Sequence, residues 1–176
     1  ITDLDLFASN TISKELADIG AVLDWIADKE NEYADQMDGN QIFVIGHSRG
    51  GATALLKTIS DSRISKLALW APVADLSTYA TDTDGQWAKD GRKYIKNTRT
   101  GVDMPMDYGF VLDYKENESK LDTKRNIAKM DKPLLLVHGT ADEAVSIATT
   151  KIMYEFVKHS IFIELEDANH TFGAFH

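Results

Sequence analysis

The sequence has no cysteine among its 176 residues, which excludes disulfides, thiolate metal sites and a cysteine nucleophile together. That absence leaves the redox compartment open, because a cysteine-free chain tolerates oxidising and reducing surroundings alike. No run approaches the roughly eighteen consecutive apolar residues of a membrane span. Three prolines and eleven glycines form no linker, repeat or low-complexity tract. Positive charge is in deficit, with 19 Lys and Arg against 28 Asp and Glu, a formal charge of −9 and a pI near 4.9. A face that grips nucleic acid or anionic lipid by charge alone is therefore disfavoured. The chain opens on Ile1 rather than Met, so no leader peptide is legible from it. With 43% hydrophobic and 27% charged residues, what is present reads as one globular domain.

The first element runs from about Ile12 to Glu30. Its apolar residues Ile12, Leu16, Ile19, Leu23 and Ile26 step by 4, 3, 4 and 3, the spacing of an amphipathic helix. Gln41 to Ile45 is a short, nearly continuous β-branched and aromatic run, which suits a strand covered on both faces. A helical pattern follows in Ala52, Leu55, Leu56 and Ile59. Lys66 to Trp70 reads as a second buried strand, Leu134 to Val137 as a third and Ser160 to Leu165 as a fourth. A further helix, Val145 to Val157, separates the last two. This alternation predicts an α/β class with a mostly parallel sheet and crossover helices. Asp75 to Asp131 interrupts it with a long, charged stretch, expected to sit over the strand ends as a lid-like insertion. Within it, Lys93 to Met106 is expected to form a hairpin turning around Asn97-Thr-Arg-Thr-Gly101.

Gly46-His47-Ser48-Arg49-Gly50 fits the pattern G-x-S-x-G, with Gly51 beyond it. As a bare string it would occur by chance at about 3 × 10⁻⁴ per position, given roughly 7% usage of Gly and Ser. Its setting adds the weight, because a buried strand ends at Ile45 and an amphipathic helix begins at Arg49. A sharp strand-to-helix turn there would strain Ser48 and expose its hydroxyl at a helix N-terminus. Side chains at the flanking glycines are expected to collide with the neighbouring strand and helix. The Arg49 backbone N–H is the candidate donor to a developing oxyanion. A plain tight turn or a phosphate loop would share the glycines.

A serine nucleophile needs a base and an orienting acid, and after such a strand-to-helix turn they follow in the order Ser, Asp, His. Asp142 follows the strand Leu134–Val137 by 94 residues from Ser48, and His170 follows the next strand by 28 more. Ser48 would attack a carbonyl, His170 would take and return its proton, and Asp142 would fix the imidazole tautomer. Glu143 and Asp167 are the other carboxylates near enough in sequence to serve as the acid. His47 and His138 lie beside these strings with no evident role, His159 reads as a surface position, and His176 ends the chain. No spacing suggests a metal ion or a nucleotide.

The strings Val44-Ile-Gly-His-Ser48-Arg-Gly-Gly51, Leu135-Leu-Val-His-Gly-Thr-Ala-Asp142 and Ala168-Asn-His170-Thr-Phe-Gly173 resemble the α/β-hydrolase superfamily. Within it they resemble the dienelactone hydrolase-like and prolyl-oligopeptidase-like serine esterase branch. Phe7-Ala-Ser-Asn-Thr11 and Thr100-Gly-Val-Asp-Met-Pro-Met106 are similar to a bacterial subgroup. The resemblance implies ester hydrolysis through an acyl-enzyme, without a cofactor, at Ser48, Asp142 and His170, with Arg49 supplying one oxyanion N–H. It also implies that the chain is a truncated domain, with early strands, the second oxyanion donor and a final helix outside it. Trp70, Trp87, Met104, Met106, Tyr108 and Phe110 are the candidates for a substrate pocket, unless they merely anchor the insertion. The expected partner is a small-molecule ester, rather than nucleic acid or membrane, and the expected location is the cytoplasm. A peptidase of the same fold and a non-catalytic binding relative remain as alternatives.

Overall fold

The computed structural model describes residues 3–97 and 100–173. In chain order the elements are α1 (Leu4–Ala8), α2 (Ile12–Ala27), β1 (Ile42–His47), α3 (Ser48–Ser60), β2 (Ile64–Trp70), α4 (Gln86–Asp90), β3 (Arg92–Lys96), β4 (Asp103–Asp107), α5 (Gly109–Leu121), α6 (Thr123–Asn126), β5 (Leu134–Gly139), α7 (Ile147–Phe156) and β6 (Ser160–Leu165). Among the described residues no helix is long and apolar enough to cross a membrane.

Four strands form one parallel sheet in the order β1-β2-β5-β6, as the strand-helix alternation predicts. Thr11 caps α2 by accepting the Lys14 N–H, and Asn31 ends it by donating to the Trp25 and Asp28 carbonyls. Those bonds supply partners for carbonyls at the C-terminal end of the helix, where Asp28 turns extended. Its apolar stripe, Ile12 and Leu23 above all, packs inward, at about 1.5–3 kcal/mol for each fully buried large side chain.

The helices α3 and α7 share one face of the sheet, where Leu55, Leu67, Leu69, Leu134, Leu136, Met153 and Val157 form a core. A second core lies outside α3, joining Ile12, Leu56, Leu76, Phe110, Val111 and Leu121. The far face of the sheet differs from the expected double covering. There Phe43 is 53% exposed, Ile45 62%, Ile161 65% and Ile163 42%. The reason is topological. Parallel strands added in one direction by right-handed crossovers place every crossover helix on the same side.

Residues 75–131 hold an antiparallel hairpin, β3–β4, in the register Arg92↔Asp107 to Lys96↔Asp103. The turn expected around Asn97 to Gly101 includes residues 98 and 99, which lie outside the described residues, as does His176. The later part of this stretch, α5, joins the second core through Phe110, Val111, Tyr114 and Leu121.

Candidate active site

β1 ends at His47 and α3 begins at Ser48, with no residue between them. Ser48 takes the left-handed φ of 54°, a strain of about 1–3 kcal/mol that its surroundings must hold. Gly46 permits the turn, since a Cβ there would lie 2.7 Å from both the Ala54 Cβ and the Gly51 Cα. The expectation for the second flanking glycine is corrected. Gly50 faces open space, and the close approach falls on Gly51, where a Cβ would lie 3.1 Å from Pro72. The Ser48 carbonyl accepts the Val73 N–H at 3.1 Å, tying the turn to the exit of β2. Arg49 is the second residue of α3, so its backbone N–H has no partner within the helix.

The loops after β5 and β6 are fastened together residue by residue. Thr140 N–H donates to the Leu165 carbonyl, Asp167 N–H to the Thr140 hydroxyl, and Ala141 N–H to the Ala168 carbonyl. Gly139 lets them meet, because a Cβ there would overlap the Ala168 carbonyl. Asn169 then winds the last turn, its side-chain oxygen accepting the N–H groups of Thr171 and Gly173. This fastening delivers His170 to Asp142, with Nδ1 to Oδ2 at 2.8 Å. On its other side His170 Nε2 lies 2.9 Å from Ser48 Oγ.

The Asp142 side chain is wholly buried. Burial alone would raise its carboxyl. The N–H groups of Val145, His170 and Ala144 outweigh burial and hold it below the ordinary carboxylate value. Glu143 and Asp167 are exposed and make no bond to His170. The three groups form one chain of hydrogen bonds able to draw a proton from Ser48 and keep the imidazole in a single tautomer. Among the described residues, no cluster of His, Cys, Asp or Glu is arranged to hold a metal ion.

Two histidines without a role in the sequence reading enter here. His47 Nε2 donates to the His170 carbonyl at 2.8 Å, and the two rings lie 4.7 Å apart. His138, on β5, touches the Asp142 loop. A pattern of isolated histidines carries no signal for either contact.

The six candidate pocket residues separate. Met104, Met106 and Phe110 line a cavity of about 230 Å³ together with Phe7, Tyr79, Ile95 and the Arg49 side chain. Arg49 is held there by Glu15 at 2.7 Å, between the rings of Tyr79 and Phe110. Trp87 is elsewhere. It is 5% exposed, donates from Nε1 to the Met106 carbonyl and packs edge-on to Tyr108, which anchors the hairpin. Trp70 pairs in register with His47 on the open face of the sheet and meets Phe172, away from the cavity. Register parity sends it there.

A parallel sheet with a serine at a strained strand-helix turn, followed by acid and histidine loops after later strands, is the α/β-hydrolase fold. The chain belongs to the prolyl oligopeptidase family, which it matches over residues 6–173. No curated protein matched the chain. Among solved structures it is similar to Est1E from Butyrivibrio proteoclasticus, at 22% identity and a TM-score of 0.71, covering 94% of this chain and 65% of that one. The same protein with ferulic acid bound aligns with a TM-score of 0.67, at 22% identity over 94% and 63% of the two chains. A puromycin-hydrolysing peptidase of Mycobacterium tuberculosis aligns at 14% identity and a TM-score of 0.56, over 90% of this chain and 22% of that one. The chain thus spans just under two-thirds of the length of Est1E.

Proposed function

We propose that this hydrolase cleaves carboxylic esters through an acyl-enzyme, with Ser48 as nucleophile, His170 as general base and acid, and Asp142 as orienting acid. The observation that carries this reading is the continuous chain Ser48–His170–Asp142, with spacings of 2.9 and 2.8 Å. Ser48 Oγ attacks the ester carbonyl while His170 Nε2 takes its proton. The Arg49 N–H, at the start of α3, faces the charge that develops on the carbonyl oxygen. His170 then protonates the leaving alcohol. Water, deprotonated by the same imidazole, releases the acid and restores Ser48. Asp142 stays ionised throughout and keeps the proton on Nδ1.

The substrate in this reading is a small-molecule ester with a compact apolar or aromatic acyl group. The 230 Å³ cavity is smaller than the roughly 300–1,000 Å³ of sites for drug-sized ligands, and its lining is mostly apolar. The ferulic acid bound by Est1E supports an aromatic acid of that size. Residues 75–131 would then act as a lid, supplying Met104, Met106 and Phe110 to one wall. The second reading, a peptidase, is favoured by the puromycin-hydrolysing relative.

A fluorophosphonate probe applied to the full-length protein tests the reading. Labelling of Ser48 that disappears in Ser48→Ala, with turnover of p-nitrophenyl esters ahead of the matching anilides, is expected. An unlabelled protein that turns over neither substrate overturns it, and faster anilide cleavage selects the peptidase.

A further inference from the structure

His138 is the one wholly buried histidine among the described residues, and the mechanism above does not use it. Its ring stands where three elements converge. Nδ1 lies 2.7 Å from the Thr150 hydroxyl of α7, and Nε2 lies 2.9 Å from the Val145 carbonyl in the acid loop. Nε2 is also 3.1 Å from Asp142 Oδ2, the oxygen that receives His170. Both neighbours of Nε2 are acceptors, so this nitrogen carries a proton. In the neutral ring Nδ1 then accepts the Thr150 O–H, and the tautomer is set by its partners.

Val145 is the residue that makes this contact consequential. Its N–H donates to Asp142 Oδ1 while its carbonyl accepts from His138. The carboxylate is therefore held at both oxygens. Oδ1 receives the N–H groups of Ala144 and Val145, and Oδ2 lies between the N–H edges of two imidazoles. Such a carboxylate cannot turn about its own axis without breaking a contact. Its direction is what keeps Oδ2 in line with the His170 Nδ1–H.

We propose that His138 is a positioning residue for hydrolysis: its Nε2–H fixes the Val145 carbonyl and faces Asp142 Oδ2, locking the carboxylate toward His170. The inference rests on the hydrolase reading above. Without the Nε2–H the loop and the carboxylate gain freedom, and His170 samples misaligned orientations. Ground-state substrate binding does not involve this ring, so the loss falls on kcat. By analogy with groups that orient metal ligands from outside the first layer, its size is roughly 10–100-fold.

The experiment compares His138→Met with His138→Gln in the full-length protein, using p-nitrophenyl ester turnover. Both variants lose the aromatic ring, but only the glutamine keeps an N–H near the position of Nε2. The expected result is a kcat about 10–100-fold down in His138→Met with KM within about twofold, and most of that loss recovered in His138→Gln. Equal kcat in the two variants overturns the proposal, because ring packing alone would account for either level. Should His138→Met fail to fold, ¹⁵N-histidine NMR of the unmutated protein decides. A His138 ring protonated at Nε2 and accepting at Nδ1 supports the proposal, and a neutral Nδ1–H tautomer overturns it. Ser48→Ala in the same assay separates the two levels. Full turnover by that variant removes the Ser48 acyl-enzyme reading on which the inference rests, whereas its inactivity beside equal His138 variants removes only this inference.

Discussion

Gly139 and Ala168 meet so closely that the one has no room for a side chain beneath the carbonyl of the other. Ala168 stands two residues before His170, so the contact sets where the imidazole is presented. Gly139→Ala must push the β6 loop away from the acid loop. We expect a loss of about 10²-fold in kcat/KM, as for an ångström-scale misplacement of a reacting group. A destabilisation of about 1–3 kcal/mol should accompany it, as for overpacking elsewhere. Ester kinetics and urea unfolding measure the two effects.

The choice of acid is open to direct test. Asp142→Asn leaves the geometry but lets His170 adopt the wrong tautomer, so kcat should fall by about 10⁴. Glu143→Gln and Asp167→Asn alter exposed side chains and should each cost less than about tenfold. A reversed order in single-turnover kinetics would move the acid to the neighbour.

Asp142 also links stability to pH. Its folded carboxyl lies below the ordinary value, which means the folded state binds the proton less readily than the unfolded one. The stability it contributes is complete above an unfolded value of about 3.9 and is lost as pH falls through the lower folded value. The stability difference between wild type and Asp142→Asn should therefore be constant near neutrality and change only below about pH 4. Urea titrations from pH 3 to 7 would show it.

The cavity predicts acyl selectivity. Met106 is half-buried at the wall, and Met106→Trp should fill space that an aromatic acyl group would occupy. We expect kcat/KM for a hydroxycinnamoyl ester to drop at least about tenfold, with acetyl ester hydrolysis within about twofold. Parallel loss for both esters would place acyl binding elsewhere.

The strands, the turn at Ser48 and the grouping of Ser48, Asp142 and His170 were legible in the sequence because each rests on local pattern or chain order. The Ile12–Ile26 stripe encodes its own periodicity, and the four strands stand out as short apolar runs. What could not be read depends on register and on approach between distant segments. Whether Gly50 or Gly51 needs to be glycine is decided by Pro72, across the top of β2. Trp70 leaves the cavity because its pairing with His47 sets its parity, and Trp87 is consumed by a bond to the Met106 carbonyl. His138 gains meaning only when β5, the acid loop and α7 are brought together.

The fastening of the β5 and β6 loops has a consequence for the order in which the site is assembled. Asp142 and His170 are 28 positions apart and belong to one adjacent strand pair, so they behave as a single preassembled body. Ser48 is 122 positions from His170 and rides on a different body, the junction of β1 and α3. Closing the longer separation costs more chain entropy, and long-range pairings come late in folding. The proposed centre is thus a seam between two halves, with His170 and Asp142 on one side and Ser48 on the other. During refolding, competence should arrive with the docking of those halves, after the hydrogen-bonded secondary structure is already in place.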